Sequence, residues 1–246
     1  SRRAMLLLVP PGVDTLHDAV AERRRSGSAR IHLLPGVHRL THALELNHLD
    51  SGVQFFGDAT ISGGVPITGW SPLSGNADVL SAAAPPGAQD RHLYVGGERG
   101  RRRRAAAADA AALFAGSNMT DAGFTLAAGV PPPRWPRGGL GVEFVYPQST
   151  SPWTEPRCAV ASANATHVTM KQPCWRNLVH KACGQGSKGP PAAARAAGLG
   201  APTNGNGYIE NVGGHLGVFA PGEWALDGTR VLYAPRTADE RAAALG

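Results

Sequence analysis

Apolar and polar residues alternate along this chain in short runs, not in helical turns. Between Ile31 and Thr68 the runs are Ile31–Leu34, Val37–Leu40, Ala43–Leu46, Val53–Phe56, Thr60–Ser62 and Pro66–Thr68, most closed by Gly, Asp or Asn. Runs of three to five residues about ten apart predict short strands joined by tight turns. Pro35-Gly36 marks one such turn, and Leu44 and Leu46 fall on one side of their run. One segment before them reads differently. Asp14 caps a helix running to about Arg25, with Leu16 and Val20 four apart on one face, and Gly27 ends it. A stack of short strands behind an opening helix suits a β-solenoid, the helix covering the exposed end, or a sandwich.

Further along, His92–Val95 predicts a strand followed by a Gly96-Gly97 turn. Ala105–Phe114 has helical propensity, and Pro131-Pro132-Pro133 breaks the chain. Val142–Tyr146, Cys158–Ala161 and His167–Met170 read as strands, the last two around a loop at Asn164. Residues Gly184–Gly207 read as a loop rich in Gly, Pro and Ala. Tyr208–Val212, Trp224–Leu226 and Val231–Tyr233 are the last strands, the final two forming a hairpin through Asp227-Gly228-Thr229.

Composition supports a mainly β chain, with 32 Gly and 20 Pro punctuating it and only 17% of residues charged. The net charge is +6, and Arg101–Arg104 contribute four of those charges. The economical reading of that tract is a solvated loop beside Ala105–Ala112. A polyanion contact is the alternative, but no aromatic residues interleave the arginines. No nucleic-acid partner is expected. Cys158, Cys174 and Cys183 lack CxxC spacing, which leaves either one disulfide with a spare thiol or three thiols. The nine histidines show no HExxH spacing, so no metal site and no cofactor are expected. Asn118-Met119-Thr120 and Asn164-Ala165-Thr166 are glycosylation sequons. No run approaches the ~20 apolar residues of a membrane span. Ala4–Val9 after Arg2-Arg3 reads as the stump of a signal peptide, and both ends read as cut.

Four segments carry a family resemblance. They are Pro35–Leu40 with Leu44–Leu46 and Asp50–Val53; Ile61–Trp70; Val142–Tyr146 with Trp153–Cys158 and Met170–Trp175; and Tyr208–Asn211 with Pro221–Asp227 and Val231–Pro235. In order and spacing they resemble the N-terminal region of right-handed parallel β-helix proteins, pectin-lyase-like in fold and glycoside-hydrolase-like in kind. The resemblance implies an N-terminal capping helix and first β-helix coils over 1–70. It implies a β-rich insertion over 71–236, with flexible loops near 99–136 and 184–207, and a truncated return to the β-helix over 237–246. Ala225 and Ala234 stand where the family is expected to carry aromatic residues.

The parent protein is then expected to be secreted and to hydrolyse glycosidic bonds in polysaccharides, with its catalytic carboxylates on coils beyond Gly246. Such hydrolysis needs two carboxyl groups, ~5 to 5.5 Å apart for retention and ~6.5 to 9.5 Å for inversion. The carboxylates available here are Glu143, Glu155, Glu210, Glu223 and Asp227, and Glu223 with Asp227 is the nearest thing to a pair. A structural reading competes: Glu223 holding a turn's N–H groups and Asp227 shaping the hairpin. Trp153, Glu155, Arg157 and Trp224 are the candidate carbohydrate contacts, with a Glu155–Arg157 ion pair and tryptophan packing as the plainer alternatives. The alternative function is a non-catalytic glycan-binding or structural interaction module.

Overall fold

The structure, a computed structural model, describes residues 6–28, 30–88, 91–105, 110, 117–129, 135, 139, 141–147, 153–183, 207–212 and 219–246. The chain is mainly β. It divides into two compact units, Ser1–Pro66 and Ile67–Gly246. Most of Ala105–Phe114, the Pro131–Pro133 break and the loop from Gly184 up to residue 206 lie outside the described residues. No helix among those described is long and apolar enough to cross a membrane.

The first unit contains β1 (Leu6–Val9), β2 (Gly12–Val13), α1 (Thr15–Ser26), β3 (Arg30–Leu33), β4 (Gly36–Arg39), β5 (Gln54–Phe56) and β6 (Ala59–Ser62). Its strands form two parallel three-stranded ladders, β1-β3-β5 and β2-β4-β6. In the first ladder Leu6 pairs with Arg30 and Arg30 with Gln54, a step of 24 residues each time. Leu7, Ile31 and Phe55 therefore stack in register, and with Val9 and Leu33 they form the core of this unit. Period-two alternation turns the other column outward, where His32 stacks on Phe56 at 4.7 Å and the Arg30 guanidinium lies 4.6 Å from the same ring. Gly57 joins β5 to β6 with φ 135°, and a Cβ there would strike the Leu33 carbonyl oxygen.

Leu16, Ala19 and Val20 of α1 are buried against this core, and Gly27 closes the helix in the left-handed region with its N–H on the Arg23 carbonyl. Three expectations change here. The helix follows β1 and β2 and does not lead them, because Leu6–Val9, which reads as a signal-peptide stump, pairs with β3 as a strand. Asp14 starts the helix without a side-chain cap bond. The run Ala43–Leu46 is irregular, as is Pro66–Thr68. Of the first run, Leu44 packs on the core while Leu46 is exposed. The segment from Asn47 to Ser51 is tied to α1 by buried Asp50, which accepts from Arg24 at 2.9 and 2.6 Å and from the Asn47 N–H at 2.9 Å. The Arg24 bond, helped by the Asn47 N–H, lowers the Asp50 pKa to about 2.

The second unit is built on two larger sheets. One contains β7 (Ser71–Leu73), β8 (Asn76–Ala83), β11 (Arg101–Arg102), β18 (Glu223–Asp227) and β19 (Arg230–Tyr233), in the order β11-β18-β19-β8-β7. The other contains β12 (Asn118–Thr120), β13 (Gly123–Thr125), β14 (Glu143–Val145), β15 (Arg157–Ala163), β16 (His167–Met170) and β17 (Tyr208–Glu210), in the order β12-β13-β16-β15-β14-β17. A short hairpin, β9 (Tyr94–Val95) and β10 (Glu98–Arg99), turns at Gly96-Gly97. All these pairings are antiparallel except β11 with β18. The expected β18–β19 hairpin is present.

Helix α2 (Cys174–Cys183), which the strand pattern does not anticipate, buries Trp175, Leu178 and Val179 against Phe124 and Phe144 of the six-stranded sheet. Cys158 on β15 is disulfide-bonded to Cys174 at the start of α2, which resolves part of the cysteine question. Ala225 and Ala234 are buried beside Phe219, Leu232 and Val79, so small core residues stand where aromatic ones are expected. Where the winding is expected to resume after Pro235, the chain forms α3 (Ala238–Leu245), capped by the Thr237 hydroxyl accepting the Glu240 N–H at 3.1 Å.

Two outcomes follow. Peptide mapping without reductant is expected to recover Cys158 linked to Cys174, and replacing both by Ser is expected to lower unfolding free energy by ~3 kcal/mol in urea titrations, the value for a loop of this size. Ile31→Ala, which empties the centre of the stacked column, is expected to cost ~2 to 5 kcal/mol in the same measurement.

Candidate functional site

The charged groups of the second unit converge on the tract Arg101–Arg104. Its backbone lies between the two sheets and bonds to both. Arg101 N–H donates to the Gly222 carbonyl at 2.9 Å and Arg103 N–H to the Trp224 carbonyl at 2.8 Å, on the five-stranded side. Asn211 N–H donates to the Arg103 carbonyl at 2.7 Å and Ala105 N–H to the Ile209 carbonyl at 3.0 Å, on the six-stranded side. Extended backbone sends alternate side chains to opposite faces. Arg101 and Arg103 reach Glu223, at 3.4 and 3.5 Å. Arg102 and Arg104 reach the pair Glu143 and Glu210.

Glu143 and Glu210 stand directly opposite each other on β14 and β17 and both are buried. Like charges so placed repel, and countercharges must sit close by. Arg91 grips Glu143 with two parallel bonds, Nε to Oε2 at 2.9 Å and Nη2 to Oε1 at 2.6 Å. Arg102 Nη1 donates to the same carboxylate and lies 3.9 Å from Glu210 Oε2, so it bridges the pair. Arg157 Nη1 donates to Glu210 at 2.6 Å, and Arg104 Nε at 3.4 Å. Aromatic faces complete the packing: Tyr208 3.5 Å from the Arg104 guanidinium and Phe219 4.4 Å from that of Arg103.

Burial alone raises the Glu143 pKa, but the bonds from Arg91 and the charge of Arg102 more than offset it, and the net shift is downward. Burial lowers the Arg103 pKa, partly offset by Glu223. A general acid needs the reverse arrangement, a carboxyl whose proton is retained near neutral pH. The chemistry of Glu143 is therefore that of a fixed negative charge holding guanidiniums.

The sequence-predicted residues fall as follows. Arg102 and Arg103 are buried and the tract is extended and paired, so it is not a solvated loop; carboxylates on both sides, Glu223 on one and buried Glu143 and Glu210 on the other, draw it inward. Glu223 and Asp227 lie on one strand four residues apart, which separates them by ~13 Å at strand rise. Glu223 is engaged by Arg101, Arg103 and the Ala220 N–H at 3.0 Å, which holds its carboxylate in an ion-pair network. Asp227 pairs in register with Arg230 at the hairpin end. Trp224 is buried among Leu93, Val231 and Tyr233, so it is a core residue and no sugar platform. Trp153 is 84% exposed. Arg157 donates to Glu155, to Glu210 and to the Tyr208 hydroxyl at 3.3 Å, so the Glu155–Arg157 ion pair belongs to the larger network. Asn118 is exposed on β12, an outer strand of its sheet. Asn164 is exposed and its Oδ1 accepts the Thr166 and His167 N–H groups, each at 2.9 Å.

The partners that sequence reading misses are Arg91, Arg102, Glu143 and Glu210 acting together. A signal was present: Glu143 sits inside Val-Glu-Phe-Val-Tyr and Glu210 inside Tyr-Ile-Glu-Asn-Val, a charge flanked by core residues on both sides. In the first unit, folding also gathers Asp14, His17 and His42, whose possible ligand atoms lie within 4.8 Å of one another. No protein-family model matches the chain, and no curated protein or solved structure matches it either.

Glu143→Gln leaves Arg91 without its countercharge and Arg102 with Glu210 alone, and is expected to cost ~3 to 5 kcal/mol in unfolding free energy at pH 7. Because the folded Glu143 titrates below its unfolded value, its contribution is complete above the unfolded value and is lost as pH falls through the folded one. Stability measured from pH 7 down to pH 2 is therefore expected to show an acid limb that flattens in Glu143→Gln.

Proposed function

We propose that this chain is the N-terminal part of a secreted, carbohydrate-active protein built on a right-handed parallel β-helix of the pectin-lyase-like kind. In this reading the parent hydrolyses glycosidic bonds in polysaccharides with carboxylates on later coils, and the present part is non-catalytic. The observation that carries the reading is the constant 24-residue step of the first ladder, Leu6 to Arg30 to Gln54, with Leu7, Ile31 and Phe55 stacked inside. Repeating strand pairs that bury one continuous column are how solenoids are built. Parallel strands joined by crossovers wind right-handed in nearly all cases.

Secretion is supported by the Cys158–Cys174 disulfide, which suits an oxidising compartment, and by two exposed sequons. Absence of catalysis is supported by Glu143, Glu210 and Glu223, each held by arginines.

A specific observation favours a second role for the same part, glycan binding. Trp153 is the most exposed large apolar side chain among those described, and Glu155 and Arg157 follow it two and four residues on. A flat exposed indole followed by a carboxylate and a guanidinium provides an apolar face and polar groups of the sort that sugar rings engage.

The test compares this chain with a longer one that continues past Gly246, assayed for reducing ends released from a panel of polysaccharides. Turnover is expected only from the longer chain, and enzyme-like release by the present chain overturns the reading. For the second role, affinity electrophoresis in polysaccharide gels is expected to show retardation that Trp153→Ala weakens roughly five-fold, about 1 kcal/mol. Retardation equal in both proteins removes that role.

A further inference from the structure

Asp14 opens α1 in an unusual conformation. Its φ is 56°, in the left-handed region that residues other than glycine seldom enter. An aspartate before a helix ordinarily accepts N–H groups of the first turn, and Asp14 does not. Its carboxylate is held instead by the segment after β4: Oδ1 accepts the Thr41 N–H at 2.9 Å and Oδ2 the Thr41 hydroxyl at 2.6 Å. So held, Oδ1 lies 3.3 Å from His17 Nδ1 and 4.0 Å from His42 Nδ1.

His17 supplies the second observation. Its Nε2 lies 3.3 Å from the Ala43 carbonyl oxygen. A carbonyl only accepts, so Nε2 donates to it, and in the neutral ring that tautomer leaves a lone pair on Nδ1. That Nδ1 is buried, and although Asp14 Oδ1 is near, the two are not aligned as a hydrogen bond. In the neutral ring a buried lone pair facing a carboxylate across 3.3 Å is unfavourable until a cation, a proton or a metal ion, lies between them.

We infer that Asp14, His17 and His42 bind a divalent transition-metal ion of the zinc, nickel or copper class. Two imidazoles and one carboxylate are a donor set these ions prefer, whereas calcium and magnesium take six or more oxygens. Two donors ~2.1 Å from a tetrahedral ion stand ~3.4 Å apart, a separation Asp14 Oδ1 and His17 Nδ1 already have. His42 stacks on His17 with ring centroids 4.0 Å apart, and its side chain is 66% exposed. It swings out of the stack to bring a ring nitrogen to the ion, and water completes the coordination. The Ala43 carbonyl on His17 and Thr41 on Asp14 orient the ligands, as outer partners do in metal sites. The N-terminus of α1 disfavours a cation modestly, and the Asp14 carboxylate offsets this. The site is separate from the glycan reading and stands or falls without it.

The test is calorimetric titration of the tag-free chain with zinc chloride, repeated for His17→Ala, His42→Ala, Thr41→Val and, as a control, His167→Ala. Wild type and His167→Ala are expected to bind one equivalent with the same affinity. His17→Ala and His42→Ala are expected to lose binding, and Thr41→Val to weaken it ~10- to 100-fold. Circular dichroism identifies any variant that fails to fold, and His42→Ala, cut at an exposed side chain, is the variant that decides. A copper-loaded sample is expected to show nitrogen hyperfine structure in its electron paramagnetic resonance spectrum, reduced in His42→Ala. Wild type that takes up no zinc at millimolar concentration, or a folded His42→Ala that binds as wild type does, overturns the inference.

Discussion

The second unit depends on balancing buried charge. Two carboxylates, Glu143 and Glu210, face each other on neighbouring strands inside the protein, an arrangement that is unstable without guanidiniums around it. Arg102 and Arg104 meet that need together with Arg91 and Arg157, while Arg101 and Arg103 reach Glu223, and the run of four becomes the extended segment that bonds to β18 on one side and to the β17 segment on the other. Asn211, buried with φ 62°, reinforces the same junction. Its amide donates to the Gly141 and Leu226 carbonyls and accepts the Leu226 N–H at 2.6 Å. Charge and backbone pairing thus act at one place to hold two sheets together.

The same balance limits chemistry. Carboxylates that hold arginines in a fold are poor proton donors, because every neighbouring guanidinium favours the charged form. The exposed Trp153 lies four residues before Arg157, which itself binds Glu210, so a ligand engaging that surface would touch a part of the molecule braced from within.

The first unit is organised by repetition. Its two parallel ladders place equivalent residues above one another, so the inner column is apolar and the outer column mixes His32, Arg30 and Phe56. Such stacking makes each strand pair a template for the next, which is the physical content of the solenoid proposal. Arg24 and Asp50 then fasten α1 to the segment that follows β4.

Local signals were legible from the residues alone. Short apolar runs closed by turn residues marked β3 to β6, β14 to β17 and the β18–β19 hairpin, while the alternating run Ala43–Leu46 formed no strand. Gly27 marked the end of α1, and Gly96-Gly97 the short turn. These depend on neighbours within a few residues, where backbone sterics and alternation act. What the tertiary structure alone decided is which distant groups meet. Arg101–Arg104 read as solvated because their partners, Glu143, Glu210, Glu223, Tyr208 and Phe219, lie between 41 and 122 residues away in the chain. Trp224 became core, α2 took its place from the apolar face that Trp175, Leu178 and Val179 present to the sheet, and His42 came to lie beside Asp14, for the same reason. Burial and ion pairing are properties of assembled surfaces, and no run of adjacent residues encodes them.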